Sequence, residues 1–187
     1  MTLLEYLNGQ FGNAFKDNST FPVSIKEVVF PKGSIITDYG QIERKLYFIN
    51  SGLVQLTMLH EGEEKIIDFF SANEFVCSYT SFLKQEASDV RLTALVDCQT
   101  EVILYNDLQE AYRTSFVANQ LGRLFTEQIY MVKTKREKDF LTKSAKERYT
   151  DLISERPEIF RSVGVNKIAK YLRLHPESLS RIRRTIS

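Results

Sequence analysis

Residues 164–187 concentrate the side chains best suited to chemistry: six Lys/Arg stand there against a single acid, Glu177. Helical spacing puts His175, Glu177, Ser178, Arg181, Arg183 and Arg184 on the solvent side of one short helix. Arginine grips guanine O6 and N7 in a bidentate way, and glutamate accepts from cytosine N4–H. Glu177 and Arg181 are therefore the candidate base readers. His175 and Ser178, close to the helix N-terminus, suit phosphate. Lys167, Lys170, Arg183 and Arg184 suit neutralisation of a phosphate backbone, which fixes register without reading sequence. Glu177 has a rival role as a first-turn acid favoured by the helix dipole. The partner these residue types suit is double-stranded DNA.

Other chemistries find no comparable cluster. Two cysteines, Cys77 and Cys98, supply neither a disulfide framework nor a four-thiolate centre. They read as small buried hydrophobes. His60 and His175 lie far apart in sequence, so no metal site is expected, and the His/carboxylate ligand set of a β-roll enzyme is missing. His60 also adjoins Glu61-Gly62, a hairpin tip, which disfavours a haem ligand. The reading is a protein that is not an enzyme.

The elements that must position the basic face are legible upstream. In VNKIAKYLRLHPESLSRIRR (165–184), Ile168, Leu172, Leu174, Leu179 and Ile182 are apolar and Ala169 is small. Read as helices 165–172 and 176–185, these positions face each other, with Ala169 at the close approach. Pro176 suits the first helical position, where its missing N–H costs nothing. This is the helix-turn-helix pattern, whose second helix lies in the major groove. Its turn position, usually glycine, is Arg173, which is placed to add a phosphate contact at a cost of ~1 kcal/mol if the left-handed conformation is kept. Before it, Ser144-Ala145-Lys146-Glu147 reads as a capping box opening a helix that ends near Pro157. Val117, Leu121, Leu124, Gln128, Met131, Lys135 and Lys138 trace one face of a helix over 114–142, interrupted by no proline. A helix that long predicts a spacer paired with its copy in a homodimer.

From Phe21 to Tyr105 the composition is different. Short runs rich in Val, Ile, Phe and Tyr (45–49, 53–59, 64–70, 91–96, 101–105) alternate with turn signals such as Asn50-Ser51-Gly52 and Glu61-Gly62-Glu63. That is the pattern of an all-β sandwich or barrel. Residues 2–16 carry a short amphipathic helix, with Leu3, Leu4, Leu7, Phe11, Ala14 and Phe15 at helical spacing.

Charge follows the same division. The 187 residues carry a net +1, yet residues 1–111 hold 8 Lys/Arg and 16 Asp/Glu, whereas 112–187 hold 17 and 8. An acidic part is joined to a basic part that meets a polyanion. A 43% hydrophobic and 26% charged composition suits a globular protein. No apolar run approaches the ~18–20 residues of a membrane span. The opening Met1-Thr2-Leu3-Leu4-Glu5 lacks a basic leader, so a cytoplasmic protein is expected.

A β domain, a long helix and a terminal helix-turn-helix together resemble the Crp/Fnr family of bacterial transcription regulators. The resemblance is carried by Pro31-Lys32-Gly33-Ser34-Ile35, by 46–54 (LYFINSGLV), by 61–67 (EGEEKII) and by Asn73-Glu74-Phe75-Val76. Pro176-Glu177-Ser178-Leu179-Ser180-Arg181 is similar to the family's recognition signature R-E-T-x-x-R; Pro176 replaces an Arg contact that the cAMP-responsive members make. The resemblance implies a homodimer on a two-fold DNA site, RNA polymerase as a further partner, and an effector pocket in each β-roll. Here the pocket departs from the pattern. Ser78 stands where relatives use Glu for the ribose hydroxyl, and their phosphate-binding Arg falls near residues 88–90. Arg91 is one residue off, and a one-residue slip on a strand reverses the face. Met131 and Val132 take the positions of hydroxyl residues that reach the base. No cAMP and no other cofactor is expected; a surviving pocket would be lined by Ser78, Tyr79, Ser81 and Arg91 with Gln128 and Met131.

The expected fold is thus α+β: a jelly-roll-like double-stranded β-roll (1–113), a long dimerisation helix (114–142) and a helix-turn-helix domain (143–187) lacking a full wing. The expected function is a sequence-specific DNA-binding regulator. Its alternative is a ligand-sensing or protein-interaction module without DNA binding.

Overall fold

The computed structural model describes residues 1–12 and 21–185. The chain divides into two compact units, Met1–Asn119 and Gln120–Ser187.

Helix α1 (Leu3–Phe11) opens the first unit behind a capping box made by Thr2 and Glu5. Gly12, left-handed at φ 67°, ends it earlier than the spacing over 2–16 predicts; Ala14 and Phe15 lie outside the described residues. Eight strands follow, with one short helix among them: β1 (Ile25–Phe30), β2 (Ile35–Thr37), β3 (Lys45–Ser51), β4 (Leu53–His60), β5 (Glu63–Ser71), β6 (Phe75–Val76), α2 (Tyr79–Lys84), β7 (Val90–Ala94) and β8 (Cys98–Leu104). They form two antiparallel four-stranded sheets, ordered β1-β8-β3-β6 and β2-β7-β4-β5.

Alternation decides what each sheet buries. Tyr47, Ile49, Val76, Cys98 and Val102 of the first sheet meet Val54, Leu56, Leu92 and Ala94 of the second in one core. On the other face of β3, Leu46 and Phe48 are also buried, and Tyr6 of α1 stacks on Phe48 at 5.3 Å. β3 is covered on both faces, which is why it reads as a continuous apolar run. Glu101 ties the helix down, its Oε2 accepting from the Leu3 N–H at 2.6 Å.

Two turns depend on left-handed residues. His60 pairs with Glu63 across Glu61-Gly62, both at positive φ, as a type I′ hairpin requires. Gly52 joins β3 to β4 at φ 121°, and a Cβ there would lie 2.8 Å from the Cys98 Cα. Only glycine avoids both the strain and the clash.

Beyond the roll the chain is helical. The predicted helix over 114–142 is preceded by a separate one: α3 (Tyr105–Thr114) ends at the extended Ser115, and α4 runs Phe116–Thr142. Serine explains the break, since its Oγ accepts the Ala118 N–H at 3.2 Å and caps α4. The second unit continues with α5 (Ala145–Glu155), α6 (Pro157–Ser162), α7 (Val165–Tyr171) and α8 (Pro176–Arg184). The Ser144–Glu147 capping box opens α5. Tyr149, Leu152, Ile159, Val163, Ile168, Ala169, Leu172 and Leu179 are buried among these helices. The fold is α+β, an antiparallel β-roll followed by helices. No helix among the described residues is long and apolar enough to cross a membrane.

Candidate functional site

Helix α8 is strongly two-sided. Leu179 is fully buried and Ile182 half-buried, whereas Glu177, Ser178, Ser180, Arg181, Arg183 and Arg184 are exposed. His175, also exposed, is the N-cap residue, and Pro176 takes the first helical position. On α7, Ile168 and Ala169 are buried while Lys167 and Lys170 face solvent. The Leu174 N–H donates to the Ala169 carbonyl at 2.9 Å, closing the turn between the helices. Arg173 occupies that turn at φ 56°, the left-handed conformation that glycine would take. Its guanidinium carbon stands 4.5 Å from the Phe140 ring centroid. Among the described residues, Glu177, Arg181 and Arg184 make no ion pair.

In the β-roll, Ser78, Ser81 and Arg91 each have partners within the fold. Ser78 and Ser81, at the start of α2, are buried and occupied by internal hydrogen bonds. The Ser88 hydroxyl donates to Ser78 Oγ at 2.7 Å. Ser81 Oγ accepts the Glu43 N–H at 2.9 Å and donates to the Glu86 carbonyl. Behind them lies Glu43, only 3% exposed. Its Oε2 accepts from the Thr37 hydroxyl at 2.6 Å and from the Ser78 N–H at 3.4 Å. Its Oε1 takes the Arg44 and Lys45 N–H groups, both at 3.0 Å.

Arg91 is not brought to these serines. Leu92 and Ala94 of β7 point into the core, so Arg91 points away from it. Its Nε donates to Asp38 at 2.6 Å and its Nη1 to Glu64 at 3.1 Å, with the Tyr39 ring 4.5 Å below. The Arg91 hydrogen bond holds the Asp38 carboxyl below its usual range. Arg91, expected to line a pocket with Ser78 and Ser81, pairs with these two carboxylates. Tyr79 is half-buried at the first turn of α2. Gln128 and Met131 are exposed on α4, in the second unit.

Sequence reasoning missed Glu43 and Thr37. A lone glutamate before a strand carries no motif, and only the packing reveals that it is buried.

Residues 27–115 match the cyclic nucleotide-binding domain family. No curated protein matches the chain in sequence. Among solved structures, the chain is similar to FixK2 from Bradyrhizobium japonicum (TM-score 0.70, 16% identity, 88% of this chain and 85% of that one). It is similar also to the c-di-GMP-responsive global regulator CLP of Xanthomonas campestris (TM-score 0.64, 18% identity, 87% and 86%). A third is the Thermus thermophilus catabolite activator protein (TM-score 0.51, 19% identity, 87% and 78%). At 16–19% identity these likenesses show a shared fold.

Proposed function

We propose that the chain is a sequence-specific DNA-binding transcription regulator acting as a homodimer, with α7 and α8 as its helix-turn-helix. The observation that carries this reading is the exposed face of α8, where Glu177, Ser178, Arg181, Arg183 and Arg184 surround the buried anchor Leu179. Arg181 and Glu177 read bases, while Lys167, Lys170, His175, Ser178, Arg183 and Arg184 neutralise or bind phosphate. Dimerisation along α4 has support from its exposed apolar residues, among them Tyr130, Met131 and Val132. RNA polymerase is the partner that the family resemblance implies.

The cyclic-nucleotide-type pocket of this reading is degenerate and does not take cAMP. A cyclic phosphate needs a positioned cation, and Arg91 is committed to Asp38 and Glu64.

Fluorescence anisotropy on genomic fragments tests the reading. Binding tighter than ~10⁻⁶ M at moderate salt is expected for specific fragments. Arg181→Ala should relax preference at one base pair, whereas Lys170→Ala should weaken all duplexes alike and reduce the salt slope by about 1. Failure of every fragment to bind would sink the reading. Calorimetry with cAMP should give no heat of binding, and micromolar affinity would overturn this part of the reading.

A further inference from the structure

Within the second unit, α5 folds back along the last turns of α4 and is clasped to it at two places. Glu155, the last residue of α5, accepts from Lys135 Nζ at 2.7 Å on Oε1 and 2.6 Å on Oε2. Lys143, at the joint between the helices, puts its Nζ 2.8 Å from Asp139 of α4 and 2.7 Å from Asp151 of α5. Lys135 and Asp139 stand one turn apart on α4, as do Asp151 and Glu155 on α5, so both clasps use one face of each helix. The order is antiparallel, the earlier residue of α5 meeting the later part of α4. Helical period puts Lys135 on the face of α4 shared by Leu124 and Met131, and the fold commits it to Glu155 of its own chain.

One turn of helix separates the clasps by ~6 Å. Two such points set the direction of one helix against another, where a single point would leave it free to swing. Between residues 120 and 142 no residue of α4 is fully buried, so polar contacts carry much of the joint. The backbone of Lys143 adds to them. Its N–H donates to the Asp139 carbonyl at 3.0 Å, and its carbonyl accepts from Arg148 Nη1 at 2.7 Å. Hydrogen bonds to Asp139 and Asp151 hold the Lys143 ammonium pKa above its ordinary value near 10.5, so the clasp is charged at neutral pH. Beyond α5 the direction is passed on by packing. The Tyr149 and Phe160 rings meet at 5.5 Å, and Leu152, Ile159, Ile168 and Leu179 are buried among α5–α8. Turning α5 therefore turns α8.

We propose that Lys143 is a positioning residue: with the Lys135–Glu155 pair it fixes α8 relative to α4, and so sets the half-site spacing that the homodimer accepts on DNA. This rests on the dimeric DNA-binding reading above. In a two-fold dimer each recognition helix reads one half-site, and the half-sites lie about one helical turn, ~34–36 Å, apart. One added base pair moves a half-site by about 3.4 Å and turns it by about 35°. A rigid joint cannot follow that displacement, whereas a loosened one swings and accepts it. Neither lysine touches base or phosphate in this role.

The full chain is used to select a duplex from a random library, and the spacer of that duplex is then lengthened and shortened by one and two base pairs. Each duplex, and a single half-site, is titrated at fixed salt with the wild type, Lys143→Met, Lys143→Arg and Glu155→Gln. The wild type should prefer the selected spacing over its neighbours by about tenfold or more. Lys143→Met should reduce that preference about fivefold, the scale of one exposed ion pair, with half-site affinity and melting midpoint near wild type. Lys143→Arg should restore the preference, and Glu155→Gln should reduce it. An unchanged spacing profile in Lys143→Met, or a wild type with no preferred spacing, overturns the proposal while DNA binding stands. So does an equal loss on every duplex and on the half-site, which assigns Lys143 to phosphate or to folding. If no duplex with paired half-sites is selected, the dimeric DNA-binding reading falls and the proposal with it.

Discussion

Burying Glu43 changes what its neighbours can do. Burial pushes the Cys77 thiol well above its ordinary value near 9, and the Glu43 charge pushes it further. A thiol held protonated is neither a nucleophile nor a metal ligand. Cys77 should therefore resist iodoacetamide at pH 8 in the folded protein and react once it is unfolded, as mass spectrometry would report. The pH dependence has a definite sign. Above pH 9 the unfolded chain releases the Cys77 proton while the folded one keeps it, so this contribution to stability is complete below pH 9 and is lost as pH rises. Melting midpoints should fall between pH 8 and 10.5, and less steeply in Cys77→Ala.

At the scale of elements, α2 is the piece that sequence patterning could not supply. Six residues, Tyr79–Lys84, are too few to show a helical period, and the stretch reads as a turn. What holds it is tertiary: Gln85, left-handed at φ 55°, ends the helix, and its Nε2 donates to the Glu43 carbonyl at 3.1 Å. Together with the Ser78–Ser88 bond, this keeps α2 against the roll. Glu43→Ala would strip the Thr37 hydroxyl and the Ser78, Arg44 and Lys45 N–H groups of their acceptor. A loss of about 2–4 kcal/mol in urea unfolding is expected. Calorimetry on the same variant should still show no cAMP binding, because the missing arginine is not restored. Strand lengths, by contrast, were readable: Leu53–His60 and Glu63–Ser71 fall within a residue or so of the predicted runs, since alternation and the Glu61-Gly62 turn are local signals.

For the whole molecule, the division of charge matters more than its sum. On the DNA-binding reading proposed above, an acidic roll discourages that surface from lying along DNA, while the basic C-terminal helices favour it. In the homodimer proposed above, α4 is the other long-range determinant. Met131 is 67% exposed on the face shared by Val117, Leu121, Leu124 and Gln128. Met131→Glu should raise the dimer dissociation constant about 100-fold or more, measured by sedimentation equilibrium, as a charge is buried without a partner. The sequence by itself determined the strand runs, the I′ hairpin, the Ser144 cap, the two terminal helices and the charge partition. Each is written in residues a few positions apart, where period and turn chemistry act. Only the tertiary structure decided that Ser78 closes on Ser88 over a buried Glu43, that Arg91 turns to Asp38 and Glu64, and that Glu155 folds back to Lys135. Those outcomes join residues 10 to 53 positions apart, and at such distances packing, not local preference, selects the partner.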